Sequence, residues 1–74
     1  MNLFEGKNAR EQDKLEDVLE NSIEIEENLM RTYLIAAERV HDDNELKERL
    51  ENFAEGNAKR TKQLLDELKE RKGK

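Results

Sequence analysis

The stretch LEDVLENSIEIEENLMRTYLIAAERV, Leu15 to Val40, decides the fold. Within it Leu15, Val18, Leu19, Ser22, Ile23, Glu26, Leu29, Met30, Tyr33, Ala36, Ala37 and Val40 form one stripe. Steps of three and four along a chain place side chains on a single face of an α-helix. Neither glycine nor proline interrupts the stretch. Upstream, Asn8-Ala9-Arg10-Glu11 has the form of a helix N-cap answered three residues later by a glutamate. A first helix is therefore predicted over about residues 8–41, preceded by a flexible arm at 1–7.

Downstream, Asp42-Asp43-Asn44 is the next interruption. Asp43 is suited to cap a second helix, with Asn44 and Glu45 in its first turn, where negative charge suits the helix dipole. The stripe of this helix is Leu46, Leu50, Phe53, Ala54, Asn57, Thr61, Leu64, Leu65 and Leu68. Lys69, Arg71 and Lys72 stand where cations favour a C-terminus, and Gly73 follows as a stop. Its predicted span is about 44–71. Opposite charges at helical spacing, Glu55 with Lys59 and Asp66 with Lys69, each add only about 0.2–0.5 kcal/mol.

A short turn between two helices makes them antiparallel neighbours. The chain is thus expected to be all-α, an antiparallel two-helix hairpin over residues 8–74. Seventy-four residues are one domain at most. A core of that size rarely supplies more than about 3–5 kcal/mol without a staple. Cysteine is absent, which excludes disulfides and thiolate metal sites. The stripes are wider than one partner helix can cover, because flanking positions such as Ile23, Met30 and Leu34 are apolar too. Two hairpins closing a homodimeric four-helix bundle are the simplest solution, with Leu19, Leu29, Tyr33, Leu50, Phe53 and Leu64 as its core. Assembly beyond the dimer is compatible with the same pattern.

Composition excludes other classes. A net charge of −5 does not suit nucleic acid or an anionic membrane surface, both of which call for basic residues. No apolar run approaches the roughly 20 residues needed to span a bilayer. The expectation is a cytoplasmic protein. One histidine, no cysteine and three aliphatic hydroxyls (Ser22, Thr32, Thr61) do not build a nucleophile–base arrangement. The isolated glycines at 6, 56 and 73 make no phosphate loop. Glu38-Arg39-Val40-His41 spells Glu-x-x-His, but far from any other candidate ligand. His41 is read as favoured by the helix C-terminus and the nearby Asp42 and Asp43, with a weak surface metal site as the alternative.

The informative residues are the polar ones inside the stripes. Glu26 sits in the apolar face of the first helix, Asn57 and Thr61 in that of the second, with Arg60 beside them. Glu26 lies about 16 residues before the turn, and Asn57 and Arg60 about 15 and 18 after it. At roughly 1.5 Å per residue all reach the same depth. A carboxylate removed from water needs a partner, and the planar fork of Arg60 can grip one with two hydrogen bonds. A buried polar layer of Glu26, Asn57, Arg60 and Thr61 is therefore expected; the plainer alternative has Arg60 reaching outward and Glu26 at a wet seam.

From Ser22 to Leu68 the chain resembles the rubrerythrin branch of the ferritin-like superfamily and the encapsulated ferritins built on half of that bundle. The resemblance rests on Ile23-Glu24-Ile25-Glu26-Glu27-Asn28-Leu29, Tyr33 and Ala36-Ala37. It continues through Asp43-Asn44-Glu45-Leu46-Lys47, Leu50, Phe53-Ala54-Glu55 and Leu64-Leu65. It implies a ferritin-like four-helix bundle, and in that family the glutamate seven residues before the tyrosine, here Glu26, ligates iron. The family's second helix carries Glu-x-x-His, where this chain reads Asn57-Ala58-Lys59-Arg60. Asparagine is a poor neutral ligand, and arginine cannot ligate while it keeps its proton. The expected function is a non-catalytic, metal-free homodimeric structural or interaction module. One alternative is an iron-binding, ferroxidase-type protein with a site built across the dimer around Glu26. Another is an amphipathic hairpin that binds a different protein.

Overall fold

The computed structural model describes residues 9–73, with side chains from Lys14 onward. The N-terminal arm expected at 1–7 lies outside the described residues. The described chain is two helices, α1 (Ala9–Glu38) and α2 (Asn44–Lys72), with no strand among the described residues. They pack side by side as a hairpin with extents of 55 × 28 × 14 Å, one helix layer thick.

The first helix stops at Glu38, short of the expected residue 41. Its last turn tightens: Arg39 N donates to Ala36 O at 3.1 Å and Val40 N to Ala37 O at 3.2 Å. These are three-residue bonds of the kind that close a helix end. His41 consequently stands beyond the helix, so Glu38 and His41 do not share one helical face. No basic residue occupies the last turn of α1. Instead Lys47, from the first turns of α2, donates its Nζ to Ala37 O at 3.2 Å. A cation borrowed from the next helix thus meets the negative end of α1.

Asp43 starts α2. Its Oδ1 accepts from Leu46 N at 3.0 Å, satisfying one of the orphan amides of the first turn. At the far end Gly73 N donates to Lys69 O at 2.9 Å with φ of −76°, so the stop uses no left-handed conformation. Lys72 reaches across to Glu20 at 3.3 Å and ties the end of α2 to α1. On the outer faces Glu55 pairs with Lys59 at 3.8 Å. Asp66 pairs with Lys62, one turn before it, at 3.3 Å. Its expected partner was Lys69.

Burial is slight. Among the described residues the fully buried apolar side chains are Ala37 and Ala54 alone, small residues that let the helices approach. The larger stripe residues are half covered: Leu19, Tyr33, Leu50 and Leu64 are intermediate, while Leu29 and Phe53 are exposed. Ile25 and Phe53 stay 58% and 51% exposed. A layered domain needs a second layer to bury such a face, and one hairpin supplies only the first.

No helix of the described chain is long and apolar enough to cross a membrane.

Candidate functional site

The site forms where the two stripes turn polar at equal depth from the turn. Glu26 projects from α1 toward α2, and Asn57 and Arg60, one turn apart on α2, close on it from the other side. Asn57 Nδ2 donates to Glu26 Oε1 at 2.6 Å, and Arg60 Nε donates to Glu26 Oε2 at 2.9 Å. Each carboxylate oxygen therefore has its own donor.

Burial grades across this cluster. Asn57 is 1% exposed and sits between the helices. The Glu26 side chain is 19% exposed and that of Arg60 55%. Of the four expected members of the layer, only Asn57 is buried within the hairpin. Thr61 is half-buried, and its hydroxyl donates to Asn57 O at 2.9 Å, so it serves its own helix and does not reach Glu26. Thr32 likewise donates to Asn28 O at 2.9 Å, which occupies a second of the three aliphatic hydroxyls.

The bond from Asn57 and then that from Arg60 hold the Glu26 carboxyl below its ordinary value of 4.5. Partial desolvation opposes this, and the arginine's charge adds to it. Glu26 is thus a carboxylate at neutral pH, held by a buried amide and a solvent-edged guanidinium. Asn57 Oδ1 is the one buried side-chain polar atom without a partner among the described residues. Its enclosure gives a cost that the bonds to Glu26 must offset.

Beside the cluster lies an open groove of about 310 Å³. Leu29 and Tyr33 line it from α1; Phe53, Gly56 and Arg60 line it from α2. The rings of Tyr33 and Phe53 stand 5.4 Å apart, tilted by 56°, within the range of favourable aromatic pairs. Gly56 and Asn52 are groove residues that the apolar stripe did not reveal. The available signal for Gly56 was its place inside a helix, where glycine is unfavourable relative to alanine unless space is needed. A Cβ added there would meet Arg60 Nη1 and Nη2 at 3.5 and 3.6 Å, so the guanidinium lies over the bare glycine.

The donor set does not fit a di-iron centre. Both oxygens of Glu26 are occupied by groups that donate hydrogen bonds, one of them permanently cationic, and neither Asn57 nor Arg60 offers a charged ligand. Among the described residues no group of three or more His, Cys, Asp or Glu side chains is placed to hold a metal ion. What this arrangement can do chemically is pair, orient and recognise. No known protein family, curated protein or solved structure matches the chain.

Proposed function

We propose that this protein is a ferritin-like half-bundle whose hairpin pairs with a second copy and acts as a structural or interaction module, with an ion pair where a di-iron site would sit. The observation that carries this reading is the contact of Arg60 Nε with Glu26 Oε2 at 2.9 Å. A guanidinium supplies, without metal, the positive charge that a half-buried carboxylate needs. The exposed apolar side chains Leu29 and Phe53, which line the groove with that pair, supply the surface to be covered. Pairing is also what a hairpin needs whose described residues include only two fully buried apolar side chains, both alanines.

The test is metal analysis of the purified protein together with its melting temperature with and without chelator. The expected result is sub-stoichiometric metal and an unchanged melt. Iron at a fixed ratio, whose removal lowers the melting temperature, would instead establish the iron-binding reading around Glu26.

A further inference from the structure

We infer that the Glu26–Arg60 pair is shared across the dimer: the unused nitrogens of one copy's Arg60 donate to the Glu26 carboxylate of the other. The inference rests on the pairing proposed above and adds that the site is incomplete in one chain.

The geometry leaves the guanidinium half employed. Nε is spent on Glu26 within the hairpin. Nη1 and Nη2 lie over Gly56, at the wall of the groove, on a side chain 55% exposed. Arginine presents five N–H donors in a fixed fork and binds carboxylates best through two of them at once. Here Nε is used, while Nη1 and Nη2 lie over Gly56 on a side chain that lines the groove with Leu29 and Phe53. Glu26 keeps a solvent-reached fraction of its surface, and a carboxylate accepts about four hydrogen bonds in all. Each hairpin thus offers spare donors and spare acceptors of opposite charge on two side chains already joined at 2.9 Å through Nε and Oε2.

That combination is what a two-fold interface requires. Around a two-fold axis the same patch must complement itself, so an isologous surface carries both halves of every polar contact. A partner of different sequence places no such demand. The chain as a whole is acidic, at −5, and two copies repel each other elsewhere. At this patch the formal charges cancel. The apolar side chains Leu29 and Phe53 in the same groove would exclude water from the paired charges and strengthen them. Gly56 leaves room for the fork to lie flat against α2, and this keeps Nη1 and Nη2 beside the groove.

A mixing experiment separates a shared pair from two private ones. One chain carries Glu26→Gln and the other, isotopically labelled, carries Arg60→Gln. Each homodimer then lacks every Glu26–Arg60 contact, whereas the mixed dimer regains one, between chains. Native mass spectrometry of the equilibrated mixture should show the mixed dimer enriched roughly tenfold over chance, about nine-tenths of all dimer where chance gives one half. A mixed fraction of one half overturns the inference, as does a mixture that stays monomeric while the wild type dimerises. A wild-type chain that is itself monomeric removes the pairing reading as well.

A second measurement does not depend on how the variants fold. The described chain has no cysteine, so a nitroxide on Asn52→Cys, at the groove and eight residues from Arg60, reports the facing of the two copies. Grooves that face each other place the labels within about 35 Å, twice the rise of eight helical residues plus the label arms. A longer distance contradicts a shared layer.

Discussion

The guanidinium of Arg60 and the carboxylate of Glu26, thirty-four residues apart in the chain, meet at 2.9 Å in the middle of a two-helix hairpin. The contact is part-solvated, with Arg60 more exposed than Glu26. Within a single hairpin such a pair contributes little, because water screens it. Its value grows when a second layer covers it, which links the chemistry of the site to the assembly of the fold.

The lowered pKa of Glu26 makes stability depend on acid. A carboxyl group with a depressed value in the folded state contributes stability that is fully present above its unfolded value, near 4.5, and lost as pH falls through the folded value. The melting temperature should therefore hold steady from neutral pH to about 4.5 and then decline. Glu26→Gln should flatten that part of the decline, measured by circular dichroism across pH.

Asn57→Ala should cost about 1 kcal/mol in urea unfolding, the net worth of one hydrogen bond, because the truncation also removes the orphaned Oδ1. Asn57→Asp should cost more at pH 7, since two carboxylates then stand where an amide donated at 2.6 Å. The excess should shrink as the pH is lowered and one of the two protonates.

Asp43→Ala removes the side chain that accepts from Leu46 N and should lower stability by about 0.5–2 kcal/mol. Asp43→Ser should recover most of the loss.

Gly56→Leu should raise the intrinsic helicity of α2, since glycine is about 0.8–1.0 kcal/mol less favourable than alanine inside a helix. It also fills the groove that Gly56 lines. The expected outcome is retained helix content with dimerisation weakened at least tenfold, read by sedimentation. Unchanged dimerisation would show that the groove is not the contact face.

Much of the hairpin is legible in the stripe from Leu15 to Val40, because a helical repeat carried over several turns admits few other structures. Asp43 is legible for a similar reason: an aspartate before a stripe has one favourable use as a cap. Counting residues from the turn places Glu26, Asn57 and Arg60 at one depth, and the structure has all three in contact. The end of α1 is less legible, because the three-residue bonds of Arg39 and Val40 depend on local tightening, which periodicity does not encode. Lys47 reaching Ala37 O is a contact between helices that only the packed hairpin creates. The exposure of Arg60 and the private bond of Thr61 depend on side-chain direction, which a stripe assigns only to a face.

Sedimentation equilibrium of the purified protein in the presence of chelator decides whether the hairpin closes against a second copy. A species of twice 8.8 kDa that persists to low micromolar concentration is expected. A helical species that remains at 8.8 kDa across that range would contradict it.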